Sequence, residues 1–442
     1  MDNTLYVIGC GAAGMTAAIT AAKAGCKVVI LEKNNSAGVK LSMTGNGKCN
    51  LTNDKLGSSD YNASARNRLD KWFLDVTNSD VKDFFYSLGL LLKSRDGYIY
   101  PSCEQASTVR NAFISELNAL GVEIKYDQQL KEIEVFDNEK GVRIRTVSKG
   151  ADNIYEGKGV IVATGGLAGP KSTLSSGDGY YILNKLGAEI IPQHPALVSF
   201  KIKKGDFISD IGVRAESEIS FYKKEEGALE EGSTKAHGHS NSELKLLTSE
   251  FGEIQLTEAS LSGIPSLQAS SDVIGDFSDN IIAQIDFFHE YSVDDFEKLC
   301  LKRISWAKEK SKYLTFSQFL NGFCNEQICA NVLRRFSYDA FDKIEREDDE
   351  ELLKLLEYFR YFKLNIIGFE DYQKAQVTAG GVSLDSISDS FELINNKTQK
   401  KMGVYAIGEL LDVNGRCGGY NLHFAFVSGI ISGKAAAGLC RE

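Results

Sequence analysis

The stretch that most constrains this chain is its first thirty-two residues. An apolar run, Leu5-Tyr6-Val7-Ile8, stops at Gly9, and Gly11 and Gly14 follow at the spacing G-x-G-x-x-G. Met15 to Ala24 is alanine-rich and helical in pattern, and Gly25 breaks it. Lys27-Val28-Val29-Ile30-Leu31 then reads as a second strand closed by Glu32. Strand, glycine turn, helix, strand and terminal acid make a complete βαβ unit of the dinucleotide-binding kind. Each glycine answers a steric demand. Gly9 allows the tight turn, Gly11 lets a diphosphate approach the backbone, and Gly14 lets helix and strand pack closely. The diphosphate is expected at the first helical amides, those of Ala12 and Ala13, where free N–H groups and the helix dipole favour an anion. Glu32 is placed to accept from a ribose hydroxyl, with Lys33 beside it. An acid there disfavours a 2′-phosphate, so the ligand is FAD or NAD rather than NADP.

Composition narrows the class. A chain of 442 residues is long enough for two or three domains. Its formal net charge of −10 argues against a general nucleic-acid surface, which needs a basic field. No apolar run approaches the about 20 residues of a membrane span. The first strand begins at about Thr4, leaving no room for a signal peptide, so a cytoplasmic location is expected. The nine cysteines are scattered without a C-x-x-C pair, as free thiols in a reducing compartment would be. That absence also disfavours disulfide-reductase chemistry. No close Cys/His cluster suggests a metal site, and His237 and His239, in a polar loop, read as solvent-exposed.

After Glu32 comes a loop rich in glycine, hydroxyl, amide and lysine side chains, suited to an anionic ligand. Its segment Gly38, Lys40, Thr44, Gly45, Gly47, Lys48, Cys49, Asn50, Thr52 and Asn53 has the pattern G-x-K-x-x-x-[ST]-G-x-G-[RK]-C-N-x-[ST]-N. In this the chain resembles the HI0933-like (YhiN/BaiN-type) FAD-binding oxidoreductases. Lys48 stands where that family often has arginine, which keeps the charge and loses the planar fork. The resemblance continues at the apolar strand ending Ala163-Thr164-Gly165-Gly166 and at Gly177-Asp178-Gly179. It is strong again at Gly408-Glu409-Leu410-Leu411-Asp412-Val413 and Gly418-Gly419-Tyr420-Asn421. It implies that Glu409 binds a ribitol hydroxyl. Gly418 and Gly419, opening an apolar helix, would aim amides at the flavin N1/C2=O edge and stabilise its reduced form.

The expected fold is α/β: a Rossmann-type FAD-binding domain of the two-dinucleotide-binding-domain flavoprotein kind, discontinuous over 1–190 and 370–442. Two insertions are expected inside it. Residues 191–288 carry short alternating strands (200–203, 216–222, 244–247, 253–256, 281–285) that suggest a barrel-like β-domain. Residues 289–369 read as a helical domain with helices at 293–310, 315–324, 327–341 and 349–359. Strands at 122–126, 130–136, 142–147 and 153–156 read together as a β-meander.

A small-molecule substrate is expected to stack on the flavin and exchange hydride through N5. The resemblance implies reduction of an enone-type double bond, with 3-oxo-steroid or bile-acid-like substrates in one branch, or oxidation of a small amine of the aminoacetone type. The chain has no second G-x-G-x-x-G, so NADH or NADPH would enter the substrate pocket transiently as reductant; otherwise oxygen becomes the acceptor of an oxidase. Enone reduction also needs a proton. Tyr420 and His423 are the first candidates for its source, with Tyr100 and His194 behind them, each competing with a purely packed role. A non-catalytic FAD-binding redox sensor and a flavin-dependent RNA-modifying enzyme are the rival classes, the second disfavoured by the acidic balance. No feature specifies an oligomeric state.

Overall fold

The computed structural model describes residues 3–136, 141–224, 244–277, 280–310, 313–395 and 400–441; His237 and His239 lie outside them. The chain divides into two compact units, Met1–Ala196 with Tyr372–Glu442, and Leu197–Asp371.

In the first unit the opening βαβ forms as the pattern predicts: β1 is Thr4–Ile8, α1 is Ala12–Lys23 and β2 is Lys27–Leu31. A six-stranded sheet runs in the order Glu392–Ile394, Lys401–Ala406, Gly159–Val162, β1, β2, Glu123–Lys125. All neighbours are parallel except the antiparallel edge at Glu392–Ile394. β1 is central and buried on both faces, which is why it reads as an unbroken apolar run rather than an alternation. Glu123–Lys125 joins this sheet instead of the meander expected from its sequence. It follows the helix Ala106–Ala119, whose length makes it a crossover back to a parallel strand. The remaining strands, Gln129–Phe136, Gly141–Ser148 and Ala151–Gly157, pair antiparallel as that meander.

Two further elements complete the unit. Val377–Val382 pairs antiparallel with Ile190–Ala196, outside the main sheet. The helix Tyr420–Ala436 lies along α1 at very short range. A Cβ on Gly429 would sit 2.8 Å from the Ala13 carbonyl oxygen, and one on Gly433 would sit 2.6 Å from that of Ala17. Only glycine permits that approach.

The second unit is a closed six-stranded barrel, in the order Phe200–Ile202, Ser260–Gly263, Leu244–Leu256, Val213–Lys224, Ile281–Asp286, Phe362–Phe369. The two short strands expected at 244–247 and 253–256 are one. Thr248 to Gly252 reads as a turn in isolation, but Val213–Lys224 pairs along the whole length and holds it extended. Closure comes from Phe362–Phe369, beyond the expected helices, where Phe362, Leu364 and Ile366 are buried at every second position. The helices found within the expected helical stretch are Val293–Lys310, Phe316–Leu320, Glu326–Arg335 and Asp349–Glu357. Among the described residues they have no core of their own. Phe296, Ile304, Leu352 and Leu356 belong to the same buried cluster as Phe200, Ile219, Phe221 and Phe362 of the barrel. The β-rich and helical stretches, expected as separate domains, therefore form one unit.

Candidate functional site

The glycines of the fingerprint do different work in three dimensions. Gly9 adopts φ +98° and its amide donates to the Leu31 carbonyl at 2.9 Å. A Cβ on Gly14 would lie 2.0 Å from the Gly9 carbonyl oxygen, whereas a Cβ on Gly11 would meet no protein atom within 4 Å. Gly14 is thus a packing glycine, and Gly11 borders open space at the start of α1. That helix begins without a side-chain cap, leaving the Ala12 and Ala13 end of its dipole for a ligand.

Glu32 is buried at the end of β2. Its Oε2 accepts from the Cys10 amide at 2.6 Å and its Oε1 from the Asn34 amide at 2.8 Å. Both oxygens keep lone pairs for a further donor such as a hydroxyl. Lys33 turns aside, donating to Ser176 Oγ at 2.6 Å and Asp178 Oδ2 at 3.1 Å. It borders a cavity of about 670 Å³ lined also by Gln129, Leu167, Lys171, Leu174 and Tyr372.

Segments far apart in sequence meet at Glu409. Lys40 Nζ lies 2.5 Å from Glu409 Oε2, and the Thr378 amide donates to Glu409 Oε1 at 3.0 Å. Thr378 Oγ1 in turn accepts from the Leu167 and Ala168 amides, at 2.8 and 2.9 Å, which holds the turn after Gly165-Gly166. The Gly408 amide donates to Ser428 Oγ at 3.2 Å. Thr378 and Ser428 were not candidates in the sequence, because a lone hydroxyl in an apolar run carries no local signal of a partner so far away.

The Thr44–Asn50 segment folds back on itself. Gly45, Asn46, Gly47 and Cys49 all take left-handed backbone, and the Cys49 amide donates to the Thr44 carbonyl at 3.1 Å. Cys49 is fully buried and burial pushes its thiol up to about 12, so it packs rather than attacks. Lys48 is on the surface, 3.5 Å from Glu104. Asn50 is 8% exposed and its Oδ1 has no hydrogen-bond partner. That oxygen lies 2.9 Å from where a Cβ of Gly419 would be, and the same Cβ would meet the Thr52 carbonyl at 2.8 Å. Gly419 opens the helix Tyr420–Ala436 without a side-chain cap. Thr164 Oγ1 is likewise buried without a partner.

The two helix ends are staggered in register. Ala13 lies beside Gly429 and Ala17 beside Gly433, so the helices run parallel. Gly419 is ten residues before Gly429 and Gly11 two before Ala13, which sets the two amide-bearing ends about 12 Å apart along the axes. Open space at Gly11, two uncapped helix ends and the orphan oxygens of Asn50 and Thr164 fit a ligand with an anionic middle and a polar ring edge, as FAD has.

The structure separates the proton-donor candidates. Tyr420 is buried against Tyr61, whose hydroxyl donates to the Tyr420 carbonyl at 2.8 Å, and burial raises the Tyr420 phenol, keeping it protonated. Asn421 is committed to the backbone, accepting from the Gly415 amide and donating to its carbonyl, both at 2.8 Å. Tyr100 is raised and His194 lowered by burial. Asp412 faces His194 electrostatically, and burial raises its carboxyl.

His423 is fully buried, with Nδ1 2.9 Å from Thr52 Oγ1, the Phe73 ring at its side and no partner for Nε2. Burial lowers its pKa to about 3. A neutral, sealed imidazole cannot deliver a proton near neutral pH, so His423 leaves the donor set and becomes a core residue. The same shift makes a stability prediction. Below the ordinary value of 6.5 the unfolded chain takes a proton that the folded one refuses, so this contribution is complete above pH 6.5 and is lost as pH falls toward about 3. Urea titrations of wild type and His423→Gln should diverge by about 1.4 kcal/mol per pH unit across that window. A difference constant from pH 6.5 to 3.5 would refute it.

The fold is that of a Rossmann-type FAD-binding domain, the class of the flavoprotein oxidoreductases. The chain belongs to the HI0933-like family: the model described as "HI0933-like protein Rossmann domain" matches residues 3–435. It is 32% identical over 451 residues to the 3-dehydro-bile acid delta(4,6)-reductase of Clostridium scindens, covering 98% of this chain and 99% of that one. It is 24% identical over 438 residues to the ribosomal RNA dihydrouridine synthase of Haemophilus influenzae, covering 96% and 95%. Among solved structures, the 3-ketosteroid delta1-dehydrogenase of Sterolibacterium denitrificans shares the fold, with a TM-score of 0.51 at 12% identity over 99% of this chain and all of that one. No helix among the described residues is long and apolar enough to cross a membrane.

Proposed function

We propose that the protein reduces a carbon–carbon double bond conjugated to a carbonyl, using FAD and drawing reducing equivalents from NADH or NADPH. The observation that carries this reading is the end-to-end relationship to the bile-acid delta(4,6)-reductase. The name of the more distant relative supports the same chemistry, because making dihydrouridine reduces a C=C bond conjugated to the uracil carbonyl. A 3-oxo steroid or another enone of similar size is the substrate class.

Bound FAD would supply the hydride, which such a substrate accepts at the carbon β to its carbonyl. The chain's own groups then have distinct tasks. The α1 amides at Ala12 and Ala13 neutralise the diphosphate, and Glu32 accepts from the adenosine ribose. The cavity beside Lys33 takes the adenine end. Glu409, steadied by Lys40, accepts from the ribityl chain. The amides after Gly419 and the Asn50 amide group hold the polar ring edge. Tyr420, kept protonated by its burial, supplies the proton to the α-carbon.

The test is anaerobic mixing of flavin-loaded protein with NADH or NADPH, followed by a panel of enones. Bleaching of the flavin absorbance, recovery on adding an enone and a product two mass units heavier are expected. No bleaching by either nucleotide, together with peroxide release from small amines, would replace this reading by the oxidase one. Tyr420→Phe should retain FAD and lower enone turnover by about 10²-fold; unchanged turnover would remove Tyr420 from the mechanism. An RNA substrate is the second reading, favoured by the dihydrouridine synthase relationship and opposed by the net charge of −10. Dihydrouridine formation in ribosomal RNA, without turnover of free enones, would establish it.

A further inference from the structure

The cavity beside Lys33 lies within the first unit, and one wall of it is a single short run of chain. Gly169, Pro170, Lys171, Leu174, Ser175 and Ser176 all line it, from the stretch between Gly166 and the helix Asp178–Lys185. Gly169 and Gly177 bound that run with φ +134° and +65°. Leu174, in its middle, takes left-handed backbone at +51°, which residues with a side chain rarely adopt. Lys171–Thr173 is one tight turn, closed by the Thr173 amide and hydroxyl on the Pro170 carbonyl at 2.9 and 2.7 Å. The run is a folded strap, tied down at both ends and in the middle. The Gly169 amide donates to the Tyr372 carbonyl at 2.8 Å, and Asn34 Nδ2 donates to the Thr173 carbonyl at 3.0 Å. Lys33 Nζ bridges Ser176 Oγ at 2.6 Å and Asp178 Oδ2 at 3.1 Å. Both charged side chains of that bridge are only 19% exposed, so solvent screens it less than a surface pair. Two of the ties come from the residues directly after Glu32. Asn34 also donates its own amide to Glu32 Oε1 at 2.8 Å, so the ribose acid and the side chains that hold the strap move as one.

We propose that residues 169–178 are a strap that retains the adenosine end of the cofactor, with Lys33 as its latch, so that the site holds FAD in preference to FMN. This rests on the proposed placement of the adenine in that cavity. Leu167, Pro170, Leu174 and Tyr372 give the cavity apolar surface for the faces of a purine, and Gln129 and Ser175 give it polar groups for the edge. The α1 amides attract the phosphate of either flavin. Only FAD carries an adenosine for the strap to cover, so the latch acts on one cofactor and not on the other. Lys33 is a positioning residue: it works through Ser176 and Asp178, by charge-assisted hydrogen bonds partly withdrawn from water. Opening the latch therefore shows mainly as faster release.

The test compares Lys33→Met with wild type as full-length protein loaded with FAD or with FMN, following flavin release by fluorescence after dilution. Lys33→Met is expected to release FAD about 10-fold faster and to bind ADP, offered as a competitor of FAD, about 10-fold more weakly. FMN release should not change. Lys33→Arg keeps the charge and should restore most of the retention. Lys23→Met is the control for a merely structural loss, because Lys23 makes a similar pair at the far end of α1, 2.8 Å from Glu116 Oε1 and 3.4 Å from Ser87 Oγ. It should leave release of both flavins unchanged, with an apoprotein urea midpoint close to that of Lys33→Met. ADP that does not compete with FAD on wild type would remove the adenosine from this cavity, and the proposal with it. ADP that competes, with FAD release from Lys33→Met at the wild-type rate or with FMN release accelerated equally, would overturn the strap alone. None of these readouts depends on enone turnover.

Discussion

Gly11→Val is expected to yield a folded protein that does not retain FAD. Gly11 has φ −90°, a conformation open to any residue, and a Cβ there would touch no protein atom within 4 Å. The substitution therefore costs the apoprotein little. Its side chain would occupy the space over the first amides of α1, where the diphosphate is to sit. We expect flavin retention after purification to fall by at least about 10²-fold, while the circular dichroism and urea midpoint of the apoprotein stay close to wild type. Gly14→Val is the control. Its Cβ would be driven to 2.0 Å from the Gly9 carbonyl, which must displace the helix or the turn. That variant should be destabilised as apoprotein by about 1–3 kcal/mol or more. Normal flavin content in Gly11→Val would place the diphosphate elsewhere and undo the reading of the fingerprint.

The second large effect is expected at Glu409. Glu409→Ala removes the partner of Lys40 and the acceptor of the Thr378 amide together, and so loosens three segments at once. The two side chains of the ion pair are 32% and 22% exposed, so solvent screens part of the interaction. We expect a loss of about 1–3 kcal/mol in stability and a larger loss in flavin affinity. Glu409→Gln keeps an oxygen for the Thr378 amide and should be milder. Combining Lys40→Met with Glu409→Gln separates the ion pair from the rest. Coupling between the two changes is expected in both urea unfolding and flavin titration. Additive effects in both would show that Lys40 and Glu409 act independently.

Much of the flavin half of the molecule was legible because its signals are local. A strand, a glycine turn and a helix are each written within a few residues, so β1, α1 and β2 form where the pattern puts them. The helix Val293–Lys310 was equally plain, since its apolar positions recur at helical spacing over eighteen residues. Misreadings arose where a distant partner overrides the local pattern. Thr248 to Gly252 has turn composition and is extended because Val213–Lys224 pairs with it. Glu123–Lys125 is only three residues long, too short to announce which sheet it joins. The helices read as a domain because each is amphipathic, and amphipathicity does not say whose core the apolar face will enter.

The same division runs through the site. By itself the sequence determined the dinucleotide fingerprint, the choice of FAD over NADP, and the family whose motifs recur from Gly38 to Asn421. These depend on residue type and short spacing, which a linear string records. Only the tertiary structure decided that Lys40 meets Glu409 across 369 residues. It alone showed that Asn50 leaves an oxygen without a partner beside Gly419, and that His423 is sealed in the core. Burial and long-range contact are properties of the packed chain. They set protonation state and reach, and so they select among residues whose chemistry looks equivalent in the sequence.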